Sequence, residues 1–355
     1  MMKELREKLS SFPPGEFRSV YKSSLPDIAK AGLLNALKDG GFRAFHEKLI
    51  LIPSFPHGIG VGVGLMAQTN VAGKILKLVL GSEEGASIRE ESKSLVLELQ
   101  DRLVNGLGIL GLGVSEPGWM GKLTNLTSTA KVLLSGEIEL NFHKGFVTNG
   151  ADAEGYLVVA REEEKNRFGV FFIPRDFPGL KIEEVYLDVA REATHCKITG
   201  ENFKIPSHYH FIEDYSKLGA DIHLSEMLSA AVLFCGAIRK IVSDLSHGNE
   251  SRERFSVLGK LWDLSGLLYG KCLEISDKKD KDPNYKIEED HPYGYEAILD
   301  ECISILESIP NFDHKKEYPD LGLFCTIHPA RSPVYIKNRL KQSKSWRKFG
   351  NFKEV

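Results

Sequence analysis

Three stretches near the start of the chain repeat one spacing. In "LPDIAKAGLLNALKDGG", "GLMAQTNVAGKILKLVLG" and "EESKSLVLELQDRLVNG" apolar residues fall three and four apart, the period of a helix that buries one face. Each stretch closes on glycine, which ends helices readily. "GSEEGAS", between the last two, predicts an exposed acidic turn. Near residue 107 the period changes. "AKVLLSG", "IELNFHKG", "GYLVVARE", "RFGVFFIP", "LKIEEVYL" and "HCKITGENFKIP" are short runs with β-branched and aromatic residues, split by Gly, Pro, Asn and charges. Such runs predict an antiparallel sheet or barrel. "GYLVVARE" and "GVFFIP" are apolar in runs rather than alternately, which predicts central strands.

From about residue 218 the helical period returns. "DIHLSEMLSAAVLFCGAIRKIVSDLSHG" is apolar nearly all round at its middle, so it predicts a buried helix. "ERFSVLGKLWDLSGLLYGKCLEI" and "YEAILDECISILESI" predict two more, and "SDKKDKDPNYKIEEDHP" a charged loop. The chain beyond Pro310 shows no period. The order of helices, strands and helices predicts an α+β class. The expected units are an N-terminal helical domain over 1–110, a middle β domain over 111–215 and a C-terminal helical domain over 216–355.

Composition narrows the function. At 42% hydrophobic and 27% charged, the 355 residues are those of an ordinary globular chain with a large core. A net charge of −3 argues against nucleic acid as a partner held by bulk charge. Five cysteines, an odd number with no C-x-x-C pair, suit free thiols in a reducing compartment, and no N-terminal apolar core marks a signal peptide. The longest apolar run, Met227 to Ile238, is too short to span a bilayer. A cytoplasmic protein is expected. "GLGILG", Gly106 to Gly111, matches the dinucleotide fingerprint letter for letter, but a helix precedes it and a strand follows, the reverse of what that site needs. His208 and His210 alternate across a strand, and no metal site is expected.

Two turns stand out. "GVSEPGWMG" (Gly113 to Gly121) follows an apolar run, and "KGFVTNG" (Lys144 to Gly150) comes some 25 residues later. With "GVFFIP", "PGLKI" and "FKIP" they form an ordered series that resembles the middle domain of the acyl-CoA dehydrogenase family. That family reads [TS]-E-P-G-x-G-S-D and then G-x-K-x-[WF]-[IV]-[TS]-N-G. The resemblance implies the family's fold and FAD as cofactor. Leu112, Val114 and Ser115 would line the pyrimidine side of the flavin and Phe146, Val147 and Thr148 its dimethylbenzene and central rings, with Gly121 also at the cofactor. "RERFS" is similar to the family's R-x-x-F-G, which implies that Arg252 and Phe255 reach the FAD of a neighbouring subunit in a homodimer or homotetramer. Gly236 aligns upstream without a gap, and ten positions before it stands Glu226, where some branches carry the catalytic base.

The implied reaction is α,β-dehydrogenation of an acyl thioester such as an acyl-CoA, with Glu226 taking the α-proton and a hydride leaving for the flavin. A separate electron acceptor then reoxidises the flavin. Such a base must be a carboxylate whose pKa is raised toward neutrality. The chain also departs from the pattern. Met120, Gly121 and Lys122 stand where the family has Gly-Ser-Asp, Ser256 replaces the last glycine of R-x-x-F-G, and no E-G-T motif follows. Two alternatives therefore stand beside the first reading: a different flavin oxidation or hydroxylation on the same scaffold, and a flavin-free relative that binds or assembles.

Overall fold

The computed structural model describes residues 1–38, 41–81, 90–247, 252–282, 285–290, 294–333, 335–337 and 339–340. The predicted acidic turn "GSEEGAS" lies almost wholly outside the described residues. Helices come first: α1 (Met2–Ser10), α2 (Val20–Lys30), α3 (Phe42–Leu49), α4 (Gly58–Ala67), α5 (Gly73–Gly81) and α6 (Glu90–Val104). The periodicity of "LPDIAKAGLLNALKDGG" overruns its helix. α2 stops at Lys30, Gly32 takes a φ of +71°, and only a short turn at Asn35–Leu37 follows.

The glycine-rich "GIGVGVG" is helical, six residues ahead of the predicted start, because its lost side chains let other elements close in. A Cβ on Gly60 would lie 1.8 Å from Glu192 Oε2, and one on Gly62 2.3 Å from Leu233 Cδ1. α4 therefore runs wedged between the strand region and the C-terminal helices. It continues through a π-helical segment, Gln68–Ala72, into α5. Gln68 fastens this segment to the sheet. Its amide accepts from the Leu110 N–H and donates to the Gly108 carbonyl, both at 3.4 Å.

Eight strands follow: β1 (Leu110–Gly113), β2 (Thr129–Val132), β3 (Ile138–Thr148), β4 (Gly155–Glu162), β5 (Arg167–Pro174), β6 (Lys181–Val185), β7 (His195–Ile205) and β8 (His210–Ile212). They form one sheet in the order β6-β7-β3-β2-β4-β5-β8. β1 and β2 both run parallel to β4 and share one of its edges, Leu110 facing Gly155 and Thr129 facing Arg161. This corrects the expectation of a purely antiparallel sheet or barrel: two pairings are parallel, and the sheet is open. β8 is only three residues long and β6 is largely exposed, so neither end strand offers an edge for closure. β4 is buried along almost its whole length, as its apolar run predicts.

The C-terminal helices are α7 (Gly219–Ser246), α8 (Arg252–Lys281), α9 (Tyr295–Glu307), α10 (His314–Glu317) and α11 (Gly322–Thr326). α7 is the axis of this region, buried from Met227 through Ile238. The predicted charged loop begins too early, because α8 carries on to Lys281. Its charges pair along the helix, Lys278 with Glu274 at 3.0 Å and Lys281 with Asp277 at 2.5 Å, each four residues apart. All five cysteines are free thiols. Among the described residues no helix is long and apolar enough to cross a membrane.

Candidate active site

The two turns meet. The Gly145 N–H donates to the Ser115 carbonyl at 2.8 Å. Beneath that contact the Lys144 ammonium sits 2.5 Å from Glu116 Oε1, and both side chains are almost wholly buried. Glu116 accepts four more hydrogen bonds, from the N–H and hydroxyl of Thr127 (2.6 and 2.8 Å) and of Ser128 (3.2 and 2.5 Å). Burial alone would raise its carboxyl pKa, but Lys144 and these donors outweigh burial and pull it down to about 2. Burial likewise lowers Lys144 to about 8 against the pull of Glu116. Asn149, at a φ of +61°, anchors the second turn by donating to the Gly64 carbonyl at 2.8 Å.

Locked together, the turns form one wall of a cleft of about 580 Å³. Leu112, Val114, Ser115, Trp119, Phe146 and Thr148 line that side. The hydroxyls of Ser115 and Thr148 line it without a hydrogen-bond partner among the described residues. The facing wall is the start of α7, with Ile222, His223, Glu226 and Met227. Ala67 and Val71, from α4 and the π-helical segment, also line the cleft. Glu226 is partly exposed, and what it faces is the cleft. It has no hydrogen-bond or ion-pair partner among the described residues, and burial pushes its carboxyl from the usual 4.5 up to about 7.

A segment without sequence periodicity, Ile327 to Pro333, also lines the cleft. His328 accepts from the Ala330 N–H at 3.2 Å through Nδ1, and its Nε2 lies 2.9 Å from Asp300. His223 Nε2 lies 2.7 Å from the Ser332 hydroxyl, tying the other end of the segment to α7. Gly121, at a φ of +71°, approaches Pro333 so closely that a Cβ would lie 3.1 Å from its ring. Sequence reading missed His223, His328, Arg331 and Ser332. His223 alone left a signal, one helical turn before Glu226 on the same face.

Seven of the residues expected at the site thus come together: Leu112, Val114, Ser115, Gly121, Phe146, Thr148 and Glu226. Val147 does not line the cleft. It alternates to the other face of β3, is fully buried, and fills the space left by Gly111, whose Cβ would lie 2.5 Å from Val147 Cγ1. Phe255 stands apart, exposed on α8. Arg252 opens that helix, but its side chain lies outside the described residues. A smaller cavity, about 370 Å³, has its two arginines engaged already. Arg18 holds Asp152 and Glu184 at 2.6 Å each, and Arg191 lies 3.7 Å from Asp188 and over the Phe17 ring.

The donor set of the large cleft suits a flavin. The isoalloxazine ring is flat, apolar on its faces and polar along one edge. Leu112, Val114, Trp119 and Phe146 offer apolar surface, and the two unpartnered hydroxyls offer donors at the side.

Comparison with known proteins defines the class. Residues 111–203 match the family model for the acyl-CoA dehydrogenase middle domain. The fold is that of the acyl-CoA dehydrogenases. Butyryl-CoA dehydrogenase from Megasphaera elsdenii superposes at TM-score 0.72 and 13% identity, covering 90% of this chain and 92% of that one. A glutaryl-CoA dehydrogenase from Mycobacterium smegmatis in complex with FADH2 gives 0.67 at 15% identity, with 90% and 88% covered. The prolyl acyl carrier protein oxidase AnaB gives 0.68 at 14% identity, with 95% and 93% covered. No curated protein sequence matches the chain. The chain thus carries an acyl-CoA dehydrogenase middle domain within the fold of that family.

Proposed function

We propose that the protein is an FAD-dependent oxidoreductase that dehydrogenates an acyl thioester between its α- and β-carbons, with Glu226 as the base. The observation that carries this reading is the state of Glu226. Its carboxyl is held near neutrality by burial alone, with no partner to neutralise it, in a cleft walled by the two turns. A carboxylate so placed takes a proton readily at neutral pH and returns it to water between turnovers. FAD, when bound, supplies the acceptor for the hydride from the β-carbon.

The remaining roles belong to the chain's own side chains. Ser115 and Thr148 would hold the polar edge of the ring, and Leu112, Val114 and Phe146 its faces. Met227 and Ile222, beside Glu226, keep the acyl carbons and the base out of bulk water. Lys144 and Glu116 fix the spacing of the turns from below and touch no ligand. Arg252 and Phe255 would serve the FAD of a second copy, which makes a homodimer or homotetramer part of the reading. The structural relatives include enzymes named for CoA and for acyl-carrier-protein substrates, so either carrier is compatible with the cleft.

The test is Glu226→Gln, which keeps the shape and removes the base. The variant should retain FAD absorbance while bleaching by a substrate acyl thioester slows by a factor on the order of a hundred to ten thousand. Bleaching at the parental rate would remove Glu226 from the reaction. A parent protein that takes up no FAD would instead favour the flavin-free binding role.

A further inference from the structure

The segment from Ile327 to Pro333 carries a cation, Arg331, that has no acidic partner among the described residues. His328 is tied to Asp300 and to the Ala330 N–H, and Ser332 is tied to His223. Pro333 packs on Gly121. The short turn Pro329–Arg331 is therefore fixed from both sides. Between those anchors Arg331 lines the cleft. Among the described residues its guanidinium makes one hydrogen bond, from Nη1 to the Thr326 carbonyl at a long 3.4 Å. No carboxylate among the described residues lies within 4 Å of its guanidinium. Among the described residues the only carboxylate that lines the cleft is Glu226.

A guanidinium is charged at every physiological pH and presents a planar fork of donors matched to an oxyanion. Here the backbone that carries Arg331 is pinned, so only the side chain has to be ordered when an anion arrives. The histidines do not compete for that anion. His223 is kept neutral by burial, and His328 is committed to Asp300.

We propose that Arg331 is a specificity residue that binds an oxyanion of the substrate, either a carboxylate on the acyl group or a phosphate of its carrier. The inference rests on the proposed function, since it names the class of thioester that the same cleft accepts. A neutral acyl group on a neutral carrier leaves the guanidinium without a partner. An anionic one completes it with a charge-assisted, two-pronged contact.

Calorimetry on the full chain supplied with FAD tests this with three probes. S-butyryl-pantetheine carries no anion, S-glutaryl-pantetheine carries only an acyl carboxylate, and butyryl-CoA carries only the carrier's phosphates. At least one anionic probe should bind about ten- to a hundredfold more tightly than the neutral one, and which one does so names the source. Arg331→Gln should erase that difference, and Arg331→Lys should keep part of it. Arg331 is exposed, so the variants should fold. Equal affinities in parent and Arg331→Gln for every probe overturn the proposal, as does a parent that binds none of them. Loss of FAD from Arg331→Gln with probe affinity unchanged also overturns it, because the arginine then serves the cofactor. The outcome is separable from the dehydrogenation itself. Arg331-dependent binding without flavin bleaching would sink the reaction and leave this inference standing.

Discussion

One glutamate lies buried behind a wall of the cleft and another lines the facing wall, and their surroundings drive their carboxyls apart. Glu116, under the two turns, has a buried lysine and four donated hydrogen bonds, and its carboxyl lies near 2. Glu226, on α7, has none of these and lies near 7. Glu116 is buried and compensated, whereas Glu226 is partly buried and uncompensated. A compensated carboxylate is part of the scaffold: it stays ionised, gives nothing up and holds two loops in register. An uncompensated one is stored proton affinity, which a fold tolerates only at a cost. The contrast separates what positions the cleft from what acts in it, although both residues are the same amino acid.

The largest effect should come from breaking the compensated side. Glu116→Gln leaves the Lys144 ammonium buried without its counter-charge, which costs on the order of 3–5 kcal/mol. Urea denaturation should show this loss. The double variant Glu116→Gln with Lys144→Met should recover part of it, because no buried charge then remains. A loss under about 1 kcal/mol in the single variant would mean that the pair is not shielded from water, and the contrast with Glu226 would collapse.

The next effect is a matter of pH. Glu226 ionises near 4.5 unfolded and near 7 folded, so between these values the folded state binds more protons and stability falls as pH rises. The penalty is absent below about 4.5 and complete above about 7, reaching as much as about 3 kcal/mol. Glu226→Gln should therefore match the parent in stability near pH 4.5 and exceed it at pH 7.5. Glu116 acts in the opposite sense. Its stabilisation is in place above about 4.5 and is lost as pH falls toward 2. Denaturation midpoints measured across pH 4 to 8 check the first slope. A parent and Glu226→Gln that run parallel would show that Glu226 is solvated after all.

The helices, the central strands and one wall of the cleft were legible because each rests on local pattern. Periodicity marked α7, and the two turn motifs marked Ser115 and Thr148. Glu226 came from the family resemblance, counted ten positions back from Gly236 along one unbroken helix. What failed was set by partners distant in sequence. The glycines of α4 show no helical period because their role is the approach of Glu192 and Leu233. Val147 shares a motif with Phe146 and Thr148, yet strand alternation turns it into the core. The segment from Ile327 to Pro333 has no period at all, since its own hydrogen bonds make only one short turn and its place is set by Asp300, His223 and Gly121. Lys144 was visible as a letter in a motif, but that its charge is buried against Glu116 can be seen only when the two turns meet.

The smallest effect sharpens the comparison most, because it asks the same question of neutral groups. The hydroxyls of Ser115 and Thr148, like Glu226, have no partner within the described residues, whereas those of Thr127 and Ser128 are engaged with Glu116. Removing a hydroxyl that bonds nothing in the protein should leave the fold unmoved. Ser115→Ala and Thr148→Val should therefore change the stability of the flavin-free protein by no more than about 0.5 kcal/mol. If the cleft holds the polar edge of FAD, each change removes one hydrogen bond to it, and FAD should bind roughly three- to tenfold more weakly, the value of about 0.5–1.5 kcal/mol. Fluorescence titration of FAD into each variant measures this directly. Unchanged FAD affinity with unchanged stability would mean that these hydroxyls face only water. The turns would then frame the cleft without gripping what enters it, and the case for a flavin there would rest on shape alone.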